Sequence, residues 1–290
     1  MNLRTAKRET IKLRIGLSGA SGFGKTYSAL LLAHGITDDW NKIAIIDTEN
    51  GSADLYSNLG NYNVLKLDEP YTPERYIEAI RICENASVEV IIIDSISHEW
   101  QGTGGCLQMH EQMGGRFQDW AKLTPRHQAF IDAILRSKCH VISTVRSKID
   151  YSMDIGSNGK TKVVKHGLKQ ITRDGFEYEL TLSFELINEN HLAKASKDRT
   201  GLFVDKPEFV INSSTGRKLM KWCDMSTVKQ KAIDEVRNCT SVDGLKHIYS
   251  KHPNLKEELY HLILKRKEEL ENQIITEDKI IEHGTDTKRN

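Results

Sequence analysis

Three glycines, a lysine and a threonine stand together in Gly19-Ala20-Ser21-Gly22-Phe23-Gly24-Lys25-Thr26, which fits the spacing G-x-x-x-x-G-K-[ST]. The spacing has a chemical reason. Glycine at 19, 22 and 24 lets the backbone curl until successive N–H groups point inward, where they can hold phosphate oxygens. Lys25 brings a point charge to the β- and γ-phosphates of a nucleoside triphosphate, and the Thr26 hydroxyl is placed to ligate Mg2+. A helix that starts here adds the positive end of its dipole. Residues 19–26, with Tyr27 behind them, are the expected nucleotide contacts, and ATP with Mg2+ is the expected ligand.

Such a loop needs a strand before it and a helix after it. Lys12 to Leu17 reads as the strand, and Thr26 to Ala33 reads as the helix. Lys42-Ile43-Ala44-Ile45-Ile46-Asp47 is a continuous apolar run ending in an acid, as expected of a strand buried on both faces. Thr72-Pro73 opens a helix to about Glu84 that buries Tyr76, Ile77, Ile80 and Cys83. Val88 to Ser95 is a second buried strand. Thr124-Pro125 repeats the helix-start signal, and Cys139 to Val145 is a third such strand. This alternation predicts an α/β domain with a mainly parallel central sheet. From Phe176 to Leu186 apolar residues fall on even positions, which predicts a half-exposed strand. Asn188 to Asn190 then makes a turn, and His191 to Ser196 returns as a hairpin partner. A short helix from about Thr215 to Trp222 closes the domain. Residues 226–273 read as two or three helices, with Ser226 capping the first and Pro253 opening the last.

Hydrolysis needs more than a phosphate loop. Asp94 ends the strand Val-Ile-Ile-Ile-Asp and is placed to hold Mg2+ opposite Thr26. The residue after it is Ser95, which cannot serve as a base. A glutamate instead follows the neighbouring strand, in Ile46-Asp47-Thr48-Glu49-Asn50-Gly51. Neighbouring parallel strands end at one sheet edge, so Glu49 can orient or deprotonate an attacking water. Glu99 is the weaker alternative. His140, inside an apolar strand, reads as a core histidine, and no His, Cys, Asp or Glu group has zinc spacing.

The chain has 290 residues and a net charge of +1, so attraction to nucleic acid must come from a local patch. Five cysteines form no C-x-x-C pair, which suits a reduced, cytoplasmic protein. The first ten residues are polar and basic, unlike a signal peptide, and no apolar run reaches the ~20 residues of a membrane helix.

Residues 46–56, the strand 90–96 and the polar end Ile142-Ser143-Thr144-Val145-Arg146-Ser147-Lys148 together resemble the RecA-like P-loop ATPases, over about residues 12–222. The short N-terminus and Thr-x-Arg-x-Lys at 144–148 resemble more narrowly the phage-type RecA-like or AAA proteins of recombination and single-strand annealing. The resemblance implies an α/β fold with a RecA-like core, antiparallel edge strands and a small C-terminal helical region. The expected divisions are a lead-in at 1–10, an ATPase domain at 11–224, helices at 225–273 and a disordered tail at 274–290. It implies Lys25, Glu49 and Asp94 as catalytic, with Thr144 as a polar sensor. It also implies a DNA-binding loop after Thr144. Residues 147–173 look like such a mobile loop, with six basic side chains against two acidic ones. Arg146, Lys148, Lys160, Lys162, Lys165 and Lys169 are its expected contacts to single-stranded DNA, and Tyr151 and His166 can stack on bases. Lys197 and Arg199 resemble the pair that RecA-like and DnaB-like ATPases insert into a neighbour's site, which implies a homo-oligomer. A single-strand DNA-binding protein or another recombination protein is a further expected partner. No RecA-type polymerisation element precedes residue 11. Trp100 and Trp120 lie where RecA has its first DNA loop, and core packing is the favoured reading of Trp120. Two other functions stay open: a nucleotide-dependent protein scaffold or loader, and a small-molecule P-loop kinase. Against the kinase, the sequence shows no arginine-rich lid.

Overall fold

The computed structural model describes the backbone of residues 11–155 and 161–285 and the side chains of 11–148, 168–224 and 228–271. Strands β1 (Arg14–Gly19), β2 (Ile43–Asp47), β3 (Asn63–Lys66) and β4 (Val90–Asp94) alternate with helices α1 (Lys25–Thr37) and α2 (Pro73–Asn85). Every residue of β1, β2 and β4 is buried, as their unbroken apolar runs require, while β3 is a largely exposed edge. Next come α3 (Ser97–Gln101), α4 (Cys106–Gln112), α5 (Trp120–Arg136), β5 (His140–Ile155), β6 (Thr161–Gln170) and α6 (Phe176–Glu179). They are followed by β7 (Leu182–Leu186), β8 (Leu192–Asp198) and β9 (Phe209–Val210). The strand order is β3-β2-β4-β5-β1-β7-β8-β9. Neighbours are parallel from β3 to β7, and the pairs β7–β8 and β8–β9 are antiparallel. Parallel pairing brings Gly19, Asp47, Asp94 and Thr144 to one sheet edge, with Asp47 directly opposite Asp94 and Leu17 opposite Thr144.

One face of the sheet is covered by α2 and α5. Tyr76, Ile80, Phe130 and Ile134 pack there on Ile91, Ile93 and Val141, with the Tyr76 and Phe130 rings 5.1 Å apart. Each such fully buried side chain contributes about 1.5–3 kcal/mol. α1 buries Ala29, Leu30, Leu32 and Ala33, and meets the start of helix α7 (Ser213–Asn238) at a pair of glycines. A Cβ on Gly35 would lie 2.0 Å from the Ser213 carbonyl oxygen, and one on Gly216 would lie 2.3 Å from that of Leu32. Only glycine permits the two backbones to come so close.

Residues 12–220 form one compact unit, and the chain from 221 belongs to another. The second has its own core of Ala232, Val236, Leu245, Ile248, Leu255, Leu259 and Leu270. It comprises the end of α7, α8 (Val242–Lys251) and α9 (Lys256–Thr285). Ser241 caps α8 by accepting from the Gly244 N–H at 3.1 Å.

The sequence reading differs from this fold in five places. Residues 147–155 and 161–170 are extended strand rather than loop: β5 runs on past the sheet and pairs with β6 as an antiparallel hairpin. The glycines and charges concealed the alternation Ile149, Tyr151, Met153, Ile155. α5 starts at Trp120, with Pro125 inside it, because Leu123 is drawn into a small core with Cys106 and Met109. Phe176 to Glu179 is helical rather than extended, since Gly175 turns the chain at φ 101° and the i,i+4 pair Phe176 and Leu180 is buried together. α7 passes through Ser226 without a break; its cap lies at Asn212, whose Oδ1 accepts from the Ser214 N–H. α9 likewise extends to Thr285, beyond the expected end near 273.

Candidate nucleotide site and adjoining cleft

The phosphate loop has the shape its glycines allow. Gly22 and Gly24 sit at φ 82° and 84°, a left-handed conformation that other residues rarely adopt. α1 begins at Lys25, so its N-terminal N–H groups face the loop. The loop lines a cavity of about 620 Å³ together with Tyr27, Glu49, Ser52, Tyr56, Asp94, Arg146, Ser147, Ile171 and His191. That volume is in the range of small-molecule sites. Lys25 Nζ donates to the Ala20 carbonyl at 2.8 Å. Burial pushes the Lys25 ammonium below its ordinary value, and Asp94 opposes that. The His191 ring nitrogen Nδ1 lies 2.9 Å from the Phe23 carbonyl oxygen, so the β7–β8 turn braces the loop from outside. The Tyr27 and Tyr56 rings stand 5.6 Å apart at the rim.

Asp94 is almost wholly buried, and burial pushes its carboxyl above the usual range. Two hydroxyls counter this. Thr144 Oγ1 donates to Oδ1 at 2.5 Å, and Thr26 Oγ1 donates to Oδ2 at 2.6 Å. Thr144 is therefore a clamp on Asp94, not a sensor facing the nucleotide; it lies fully buried one strand over. The Thr26 and Asp94 oxygens form a hard-donor pair beside the phosphate loop, which suits Mg2+. They would hold it there, where a bound ion neutralises charge on the phosphates.

Glu49 reaches the same cavity from the end of β2. Asp47 shapes its loop: Asp47 Oδ1 accepts from the Glu49 N–H at 2.6 Å, and Oδ2 from the Ala53 N–H at 3.1 Å. The Glu49 carboxylate then accepts from the Ser95 hydroxyl at 3.0 Å and from Arg146 Nε at 2.7 Å, and a second bond joins Arg146 Nη2 to Oε2. Arg146, expected on DNA, is here the partner of Glu49. Glu99 is no candidate base. It is fully buried away from the cavity, where it accepts from Cys106 Sγ at 3.1 Å and has His127 Nδ1 at 3.0 and 3.1 Å from its two oxygens. These three side chains form the one metal-type cluster among the described residues. Their separations are those of direct hydrogen bonds, so the cluster is complete as a buried cross-link of α3, α4 and α5. Burial, with Glu99 beside it, pushes the Cys106 thiol up and keeps it protonated.

A second cavity, of about 890 Å³, adjoins the first; Ile171 lines both. Its walls include Trp100, Phe117, Trp120, Lys148, Lys169 and Arg173. Phe117 is 92% exposed. Trp120 packs against the small core of Cys106, Met109 and Leu123, as expected, but only half-buried: its ring also stacks between Trp100 (5.5 Å) and His110 (4.2 Å) and carries the Arg173 guanidinium 5.9 Å above it. Phe117 and Arg173 were missed from sequence as members of one cleft, since 56 residues separate them. Of the other expected contacts, Lys160 and the side chains of Lys162, Lys165, Tyr151 and His166 lie outside the described residues.

Lys197 and Arg199 face neither cavity described above. Lys197 Nζ donates to the Glu177 and Tyr178 carbonyls at 2.7 and 2.5 Å, and Arg199 Nη2 to that of Tyr178 at 2.9 Å. They complement the C-terminal end of α6 within the same chain. Their partial burial, and the like charge of Arg199, lower the Lys197 pKa. His140 is a satisfied core histidine: its Nδ1 accepts from the Leu13 N–H at 3.0 Å, and burial lowers its pKa to about 4.

No helix among the described residues is long and apolar enough to cross a membrane. A family model described as AAA domain matches residues 11–227. The chain belongs to that family and carries an AAA-type P-loop NTPase domain. Comparison with curated proteins gives no match.

Proposed function

We propose that this member of the AAA domain family hydrolyses ATP and couples the reaction to single-stranded DNA, in phage-type recombination, annealing or replication. In this reading the loop 19–26 holds the phosphates, Lys25 leaves the Ala20 carbonyl for the γ-phosphate, and Tyr27 and Tyr56 flank the base. Glu49 orients the water that attacks the γ-phosphorus and takes its proton, giving ADP and phosphate.

The observation that carries the DNA half is the adjoining cleft. Cations at Lys148, Lys169 and Arg173 stand beside the aromatic faces of Trp100, Phe117 and Trp120. Such a mixture suits a charged backbone with unpaired bases, since stacking is indifferent to base identity. A protein ligand or a small kinase substrate gives no comparable reason for an exposed phenylalanine beside three cations.

The test is ATP turnover and fluorescence anisotropy with an oligo-dT strand. Turnover should rise with the strand. Affinity should fall with salt at a log–log slope of about −2, from three phosphate contacts at about −0.7 each. Turnover indifferent to DNA, with binding indifferent to salt, refutes the coupling. Lys197 and Arg199 are proposed to exchange their α6 partners for a neighbouring subunit's phosphates. An Arg199→Ala chain mixed with a Lys25→Ala chain should then regain activity; no recovery at any ratio removes the trans role.

A further inference from the structure

The geometry points to Arg146 as a positioning residue that restrains Glu49 until a polyanion occupies the adjoining cleft. This rests on the reading of the two cavities given above.

A carboxylate acts on water only through an oxygen lone pair that is free to face it. The two oxygens of Glu49 together offer about four such positions. On Oε1 both are taken, by Arg146 Nε and the Ser95 hydroxyl, and Oε2 accepts from Arg146 Nη2. Two parallel bonds from a guanidinium are the strongest arrangement available to a carboxylate, and they also offset its charge. The Glu49 side chain is 19% exposed and that of Arg146 43%, so water screens the pair only from the arginine side. As placed, Glu49 is turned toward Arg146 rather than toward a reacting water. Among the described residues, the Arg146 guanidinium donates to no other group. Its one strong attachment is the residue that the reaction needs.

The backbone of Arg146 marks a boundary. It is the last β5 residue paired with β1, opposite Gly19 of the phosphate loop. The next residue, Ser147, pairs with Gln170 in the hairpin, and Lys148 then stands directly opposite Lys169. Like charges placed opposite each other across two strands repel. Both lysines line the cleft, where Asp174 stands 3.6 Å from Lys169 and offsets part of the repulsion, so an anion bound there relieves what remains and acts on the base of the hairpin. That change falls two residues from Arg146, on the same face of the strand. Ile171, whose N–H donates to the Arg146 carbonyl at 2.7 Å, is the residue shared by both cavities. Nucleic acid at Lys148 and Lys169 thus has a short covalent and hydrogen-bonded route to the fork that holds Glu49.

The experiment measures kcat and KM for ATP in the wild type, Arg146→Ala and Arg146→Lys, each with and without oligo-dT. Only the side chain of Arg146 is changed, so its strand pairing is kept, and nucleotide binding reports the fold. Without DNA, Arg146→Ala should raise kcat about tenfold or more, the loss of a bidentate charged bond, with KM within about twofold. Oligo-dT should add little further. Arg146→Lys keeps one bond and should fall between. A kcat in Arg146→Ala equal to or below the wild type overturns the restraint. Absence of oligo-dT binding in the wild type instead overturns the nucleic-acid reading. In that case the basal rate of Arg146→Ala still decides: raised, the restraint holds; unraised, it falls.

Discussion

Thr144→Val removes one hydroxyl from the Asp94 carboxylate and keeps the branched shape of the side chain. Asp94 is 2% exposed and Thr144 is fully buried, so no water replaces the lost donor. A hydrogen bond to a charged group contributes about 1.5–3 kcal/mol, and a buried carboxylate left short of a donor sits at the upper part of that range. The sign of the pH dependence follows from the raised pKa of Asp94. The folded state holds that proton more tightly than the unfolded chain. Stability therefore falls as pH rises from the ordinary carboxylate value through the folded one, and the cost is complete above it. Thr144→Val raises the folded pKa further and deepens the cost. The destabilisation should be full near pH 8 and shrink as the pH falls toward about 4, where Asp94 carries a proton. Urea unfolding followed by tryptophan fluorescence reads this, since Trp40, Trp100 and Trp120 all lie in the 12–220 unit. With a slope near 3 kcal/mol per molar for a unit of this size, the midpoint should drop by about 0.5–1 M at pH 8. A loss below about 0.5 kcal/mol, or one that grows as the pH is lowered, would refute the account of Thr144 as a donor to ionised Asp94.

Glu49→Gln should leave ATP affinity intact and lower turnover about 10²–10⁴-fold; turnover near the wild-type rate removes Glu49 as the base. Phe117→Ala should weaken oligo-dT binding by about 1–3 kcal/mol, as for one stacked base, and leave stability within about 0.5 kcal/mol because the ring is exposed. Unchanged affinity by anisotropy takes Phe117 out of the cleft's function. His140 carries a folded pKa of about 4 against about 6.5 unfolded, so stability is complete above pH 6.5 and is lost as pH falls toward 4. The loss is on the order of 3 kcal/mol, and acid titration of His140→Gln should show a flatter limb; an unchanged limb assigns the acid sensitivity elsewhere.

The phosphate loop was legible because its chemistry is contiguous: eight residues carry glycine, lysine and threonine at fixed spacing. Asp94 and Glu49 were legible at one remove, since parallel strands ending together is a general property of α/β sheets. What escaped was pairing over long separations. Arg146 and Glu49 lie 97 residues apart, and Thr144 and Asp94 lie 50 apart. In each case the residue type was noted and its partner was not, because a cation reads alike whether it faces DNA or a carboxylate. The hairpin of β5 and β6 was hidden by composition, as glycine and charge are common to loops and to exposed ribbons. The start of α5 was misplaced because a local proline rule gave way to the burial of Leu123.

Thr26 meets Asp94 as a hydrogen-bond donor, while its expected work is to lend a lone pair. The two roles differ by a turn of the hydroxyl about its C–O bond, with every heavy atom left in place. Rotations of that size take picoseconds to nanoseconds. Were Mg2+ to load there, the protein would add almost no kinetic toll, and the pace would belong to the ion's own reluctance to shed water. The two hydroxyls meanwhile engage both oxygens of the Asp94 carboxylate. The clamp by Thr144, fully buried on the neighbouring strand, is then the fixed jaw of a vice in which Thr26 is the moving one.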